Sequence, residues 1–334
     1  MRILIGIFEA GFFPAIVYLI TFWYRPNERS IRISVIMASA TLAGAFGGCI
    51  AYGMGHLNGK AGLEGFRWLF LIEGLISVVS CLLLVFFMPN FPSTAKFLSA
   101  EDRVFAVDRL EGLGYTKQHA TKRENLETCF NPRMLAHYFI YLLDCIPLGS
   151  LTFYTPTIVA GLGYNSITAQ LMTVPPWVVA YLASLTLSWS ADRLNARGFH
   201  IATASTIGGI GWLTAALLPA NAYKTRYGAL VLCACGAFPS AAPLSSWVSC
   251  NAPAIAGVGI AIALNNSSAG IAQMIAQWIW RAQEAKIGYP TGNIVCAACS
   301  FGTAAGALGL RWWYGRMNKV GAKDASGKDR VWML

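Results

Sequence analysis

The sequence predicts an all-α, polytopic membrane protein. Three observations predict it. Of 334 residues, 56% are apolar and 12% charged. The mean hydropathy is +0.52, far from a soluble mixture. The apolar residues are gathered into runs of roughly 20 residues, the length a helix needs to cross a bilayer core of about 30 Å. Lipid offers no partner to backbone N–H and C=O groups, so each run must satisfy its own as a helix.

Nine segments meet this requirement, at approximately 3–24, 33–54, 66–88, 134–155, 170–190, 201–219, 227–250, 254–280 and 292–314. The first carries Arg2 and Glu9. It is too long and too polar in its middle for a signal peptide and is followed by no small-residue cleavage pattern, so it is expected to stay in the protein. Lys and Arg concentrate in alternate loops: eighteen fall on the side that holds the C-terminus and six on the other. The positive-inside rule therefore places the C-terminus in the cytoplasm and the N-terminus outside.

That asymmetry accounts for the net charge of +10. The basic residues are scattered over short loops and a tail with no basic stripe, which argues against a nucleic-acid partner. None of the nine cysteines falls in an outer loop, so no disulfide framework is expected. The four histidines are isolated, with no metal-binding pair, and there is no nucleophile elbow or phosphate-binding loop. Neither an enzyme nor a cofactor-bearing protein is expected, and an ion gradient is a better energy source than a nucleotide.

The polar stretch 89–133 separates three spans (1–88) from six (134–316), with a tail at 317–334. Within it, Ser99 followed by Asp102 predicts the cap of a short amphipathic helix with Val104, Val107 and Leu110 on one side. An internal echo links the two parts: "AGFFPAIVYL" (10–19) matches "CGAFPSAAPL" (235–244) at Gly11, Phe13, Pro14 and Leu19 against Gly236, Phe238, Pro239 and Leu244. Three spans precede the second copy in its part and none the first. If the two parts are repeated halves, the first lacks its opening three spans.

Six spans, a connector and six more is the plan of the major facilitator superfamily. "RILIGIFEAGFFPAIVYLITFWYRPNERSIR", "GLEGFRWLFLIEG", "PNFPSTAKFLSAEDR", "AQLMTVPPWVVAYLASLTLSWSADRLNARG" and "SWVSCNAPAIAGVGIAIALNNSSAGIAQMIAQWIW" resemble its anion:cation symporters of the allantoate and nicotinate permease type, best known from fungi. The resemblance covers nearly the whole chain and implies the major facilitator fold, with nine of its usual twelve helices, in a multi-pass protein of the plasma membrane. It also implies import of a small organic anion with a proton. A transport-inactive relative acting as a nutrient sensor or partner subunit is the rival expectation. Two departures stand out: the first three spans are absent, and "NAPAIAG" after Trp247 lacks the basic residues many members carry there.

Charge inside a span costs several kcal/mol, about 2.5–3.5 on the lenient insertion scale, so intramembrane acids are functional candidates. Glu9, Glu73 and Asp144 are the ones in spans. Arg2 and Glu9 lie two helical turns apart on one face. Arg2 suits recognition of a carboxylate and Glu9 a proton; the plainer alternatives are an interhelical hydrogen bond for Glu9 and snorkelling for Arg2. Asp144, near mid-bilayer and followed by Pro147 and Gly149, suits proton coupling or an interhelical hydrogen bond. Glu73 reads better as a packing contact.

Asn266, Gln273 and Gln277 form one polar stripe that could orient a substrate or hold helices together. "SADRLNARG" (190–198) resembles the superfamily's loop motif, which implies that Asp192, Arg193 and Arg197 latch the cytoplasmic gate; the plainer alternative is a topology signal alone. Glu28, Arg29 and Arg32 are the expected neighbours of that latch. No metal site is expected.

Overall fold

The computed structural model describes residues 2–25, 28–55, 59–62, 64–89, 91–111, 121–160, 172–253, 257–321 and 331–334. For Arg2 the description stops at the backbone. The middle of the connector (112–120), most of the tail (322–330) and the first residues of the expected fifth and eighth spans lie outside the described residues.

Among the described residues the chain is helical, with no strand. Its helices are α1 (Arg2–Glu9), α2 (Phe12–Trp23), α3 (Arg29–Gly55), α4 (Gly65–Phe87), α5 (Ala100–Glu111) and α6 (Lys122–Phe130). They continue as α7 (Pro132–Ala160), α8 (Val174–Leu194), α9 (Arg197–Leu217), α10 (Tyr223–Asn251), α11 (Val258–Trp278) and α12 (Pro290–Val320). Six stretches are long and apolar enough to cross a membrane: Gly6–Trp23, Gly65–Phe87, Pro132–Thr155, Tyr223–Asn251, Val258–Trp278 and Pro290–Val320. Helices α3, α8 and α9, of 27, 21 and 21 residues, are also long enough, at about 1.5 Å per residue, to span about 30 Å.

The first expected span is broken at Ala10–Gly11. Pro14 is the cause: it has no N–H to donate to the Ala10 carbonyl, and its ring crowds that carbonyl. The chain restarts at Gly11, whose carbonyl accepts the Ala15 N–H at 3.1 Å.

Helix α9 packs closely against α10 on one side and α12 on another, α7 packs against α11 and α12, and α3 packs on α8 and α10. The tightest approach is between α9 and α10. A Cβ added to Gly236 would lie 2.1 Å from the Gly208 nitrogen, so the two backbones touch where neither residue carries a side chain. Gly302 and Gly306 of α12, four residues apart, instead leave room for the side chains of Leu143 and Ile140 of α7. Helix α4 has no buried residue and presents its apolar side chains outward, as a lipid-facing helix does.

The expected connector helix is α5. The Asp102 N–H donates to Ser99 Oγ at 3.1 Å and the Ser99 hydroxyl donates to Asp102 Oδ2 at 2.7 Å, closing the cap. Its Arg109 pairs with Glu28 and its backbone carbonyl at Arg109 accepts from Arg25 Nε at 3.4 Å, which ties the connector to the α2–α3 loop. Helix α6 is a second connector helix. It stops at Asn131, whose Oδ1 accepts the Arg133 N–H at 3.0 Å and starts α7, with Pro132 at its first position.

Residues 331–334 run back onto the bundle. Trp332 is buried, stacked on Tyr314 and covered by the Arg133 guanidinium 4.2 Å from its ring. The Asn318 side chain accepts the Trp332 N–H and donates to its carbonyl, each at 2.8 Å. Asn251 does the same for Met333 at 2.9 and 3.0 Å.

Two connections between helices hold the opposite end. Arg226 donates to the Gly288 carbonyl at 2.6 Å. Gly288 has φ +84, and any Cβ there would collide with the guanidinium. The Glu284 carboxylate accepts the N–H (3.0 Å) and hydroxyl (2.6 Å) of Thr291 in the first turn of α12. These bonds, with Arg281 nearby, hold its carboxyl below the ordinary glutamate range.

Candidate functional site

A cavity of about 810 Å³ lies between α1–α3 on one side and α7, α8, α10 and α11 on the other. Its walls combine the aromatic rings of Phe12, Phe13, Trp177 and Phe238 with hydroxyls from Ser34, Ser39, Thr41, Thr152 and Thr173, the Gln273 amide and the Glu9 carboxylate. This pairing of apolar rings with a few polar groups is typical of small-molecule sites. Phe13 and Phe238, equivalent in the internal echo, both line it, so the repeated motif supplies one aromatic wall from each part of the chain. Gly44 lets α3 approach the Trp177 ring, which an added Cβ would meet at 3.2 Å.

The cavity narrows where α3 runs antiparallel to α8. Ser34 Oγ donates to the Ser184 carbonyl at 3.0 Å. One turn further, the Ile31 N–H donates to Asp192 Oδ2 at 2.8 Å. Arg197, fully buried, donates from Nε to Ser30 Oγ at 2.8 Å and from Nη2 to Asp192 Oδ1 at 2.9 Å. Asp192 thus answers both an orphan N–H in the first turn of α3 and the buried guanidinium of Arg197.

Of the residues expected in this loop, Arg193 stands apart. It is exposed and sits 5.2 Å from the Trp189 ring centre. Of the expected neighbours, Glu28 is taken by Arg109. Arg29 turns back to the Tyr24 and Thr21 carbonyls at 3.1 and 3.2 Å, capping α2. Arg32 lies 4.0 Å over the Tyr24 ring. The partners that matter are Ser30 and the Ile31 backbone, which a reading of charged motifs passes over.

Glu9 is exposed to the cavity at the end of α1, beside the break. The backbone of Arg2 belongs to α1; its side chain lies outside the described residues. Asp144 does not line the cavity. It is 2% exposed, one turn before Leu148 and two before Thr152, both of which do line it. Its Oδ1 accepts from Ser240 Oγ at 2.7 Å, while Oδ2 is buried without a partner.

In the polar stripe, Gln273 faces the cavity, whereas Asn266 and Gln277 are not among its lining residues. The Gln277 carbonyl accepts from Tyr154. The neighbouring Asn265, unremarked by the stripe, is buried with an unpartnered Oδ1. Glu73 is exposed on α4. No group of three His, Cys, Asp or Glu side chains that could hold a metal occurs among the described residues.

The comparisons with known proteins agree with this architecture. The family model of the Major Facilitator Superfamily matches residues 1–277. The chain is 48% identical over 334 residues to the MFS transporter prlL of Fungal sp. (strain NRRL 50135), covering 99% of this chain and 68% of that protein. It is 31% identical over 265 residues to the MFS-type transporter cnsO of Penicillium expansum, covering 75% of this chain and 51% of that protein. It is 29% identical over 347 residues to the major facilitator-type transporter hxnP of Emericella nidulans, covering 100% of this chain and 69% of that protein. The chain therefore spans between half and about two thirds of the length of these relatives. A family match over most of the chain, relatives named as transporters and an all-helical body with apolar spans lead to one statement: this multi-pass membrane protein belongs to the major facilitator superfamily, among transporters and not enzymes.

Proposed function

We propose that the chain is a secondary active transporter of the plasma membrane that imports a small organic anion by proton symport and alternating access, of the anion:cation symporter type. Its nine spans fall into three of one helical half (1–88) and six of a second (134–316), joined by a connector whose side of the membrane, like that of the C-terminus, is the cytoplasm. The observation that carries the reading is the cavity between α1–α3 and the later helices: it contains a carboxylate, Glu9, and its lining residues Ser34 and Ser184 lie on the same two helix segments, one to two turns from the Asp192–Arg197 contacts with the start of α3.

In this scheme Arg2 draws the substrate carboxylate, Gln273 orients it with Asn266 and Gln277 supporting the helix, and aromatic walls such as Trp177 hold an organic body. Glu9 takes the proton within the cavity. Asp144, with one oxygen unpartnered close to the cavity wall, is a second proton site. Neutralising a carboxylate lowers the cost of carrying it through the closed intermediate, because an unpaired charge away from water is expensive. Asp192 and Arg197 latch the cytoplasmic end and release it as the halves rock, with Arg193 beside them on the surface.

The test is uptake of labelled organic acids, nicotinate, allantoate and pantothenate among them, by cells expressing the chain at pH 5 and pH 7. Uptake is expected to be faster at pH 5 and to collapse with a proton uncoupler, and Glu9→Gln is expected to lose the pH response. Uptake that persists in Glu9→Gln together with Asp144→Asn and ignores the uncoupler contradicts proton coupling. Absence of uptake for every acid, with the protein folded and in the membrane, favours the sensor reading.

A further inference from the structure

Away from the transport cavity, at the shared end of α9 and α12, lies a pocket of about 590 Å³. Arg311, Arg316 and Lys319 line it, as does Leu334, the last residue of the sequence; among the described residues no acidic side chain does. Its other walls are apolar: Phe199 at the start of α9, with Leu308 and Trp312 on α12, all three exposed on the outer face of the bundle at 52%, 44% and 67%.

Arg311 is held in an electrostatically poor place. Its guanidinium lies 3.9 Å over the Phe199 ring. Its Cβ would stand 2.9 Å from a Cβ added to Gly198, so it packs on the first turn of α9. That turn is the positive end of a 21-residue helix whose N-cap, Ala196, supplies no side-chain hydrogen bond. A cation is disfavoured there unless an anion joins it. Among the described residues no acidic side chain pairs with it, and Arg311 Nη1 is buried without a hydrogen-bond partner. Arg316 leans on Trp312, 5.6 Å from its ring centre. Lys319 is in the last turn of α12, where the helix end favours a cation, and among the described residues neither of these two cations has an ion-pair partner.

Three cations against the single carboxylate of Leu334 leave the pocket positive and call for an anionic group, and the exposed rings beside them call for hydrocarbon. We propose that this pocket binds the phosphate-bearing headgroup of an anionic phospholipid, with Arg311, Arg316 and Lys319 on the phosphate and the acyl chains lying along Phe199, Leu308 and Trp312. Arg311 supplies a planar fork suited to phosphate oxygens, and basic pockets between spans are known to select such headgroups. The site is separate from the cavity and does not depend on what the cavity carries.

The experiment is thermal unfolding of the detergent-purified full chain titrated with dioctanoyl phosphatidic acid, dioctanoyl phosphatidylcholine or inorganic phosphate. Phosphatidic acid is expected to raise the midpoint in a saturable way, phosphatidylcholine to leave it unchanged, and inorganic phosphate at equal concentration to act far more weakly. Arg316→Gln with Lys319→Gln, both exposed and so harmless to the fold, is expected to raise the half-saturating phosphatidic acid concentration by about fivefold per cation removed, about 25-fold together. Equal stabilisation by phosphatidylcholine, or an unchanged half-saturation in the double variant, overturns the site. Inorganic phosphate acting as strongly as phosphatidic acid overturns the lipid assignment and makes a soluble phosphate the ligand.

Discussion

Asp192→Ala is expected to be among the most damaging single changes in the molecule. Arg197 is fully buried, and the carboxylate of Asp192 is the negative partner of its guanidinium at 2.9 Å. Removing one member of a buried pair costs about 3–5 kcal/mol, because the remaining charge stays desolvated without compensation. The same change leaves the Ile31 N–H without its acceptor, so the cost falls on both α3 and the α8–α9 loop. Thermal unfolding of the purified chain should show a large drop for Asp192→Ala. Asp192→Asn keeps an oxygen for the Ile31 N–H and should show a smaller one. Equal, small effects of both substitutions would mean that the contact carries no charge-dependent stability. If the contact also gates transport, as proposed, both variants should leak substrate in the absence of a proton gradient.

Gly236→Ala is the second large effect. The added methyl carbon would lie 2.1 Å from the Gly208 nitrogen and 2.3 Å from its Cα, with the Ala204 carbonyl oxygen at 2.6 Å. These are backbone atoms of another helix, so no rotamer change relieves the clash, and α9 and α10 must separate along a contact that runs through the core. Overpacking usually costs about 1–3 kcal/mol, and a clash against backbone belongs at or above the top of that range. The expected result is loss of folded, membrane-inserted protein. Gly228→Ala, near the start of α10, has nothing within 4 Å of the added carbon and serves as the control. Comparable yields of the two variants would contradict the close approach.

Much of the fold was legible because lipid imposes a simple length rule, which six stretches among the described residues obey. The cap at Ser99 and Asp102 was equally legible, since the whole interaction sits within four residues. The break at Ala10–Gly11 was hidden by composition: a hydropathy run does not register the one missing N–H of Pro14, although the proline itself was in view. Asp144 stood out as a charge in a span, but sequence does not say which helix faces it, and its partner proved to be a serine 96 positions away.

The same limit applies to the candidate gate. Asp192 and Arg197 were marked by their charge, while the partners that complete the contact are a serine hydroxyl and a backbone N–H, groups too common to signal anything alone. The docking of Trp332 and Met333 onto Asn318 and Asn251 is likewise a tertiary event. Each asparagine imitates a strand's donor and acceptor for a residue 14 or 82 positions distant, which no local pattern announces.

The claim on which the functional account rests is that the cavity beside Glu9 is the route of the solute. Ser39 lines it and is exposed to it. The direct measurement is reaction of Ser39→Cys with a water-soluble maleimide, scored against the unsubstituted chain, with uptake recorded before and after. The account predicts that the introduced thiol reacts, that a transported acid slows the reaction, and that the modified protein no longer carries the acid. Full uptake by the modified protein, or a reaction rate indifferent to saturating substrate, would contradict it.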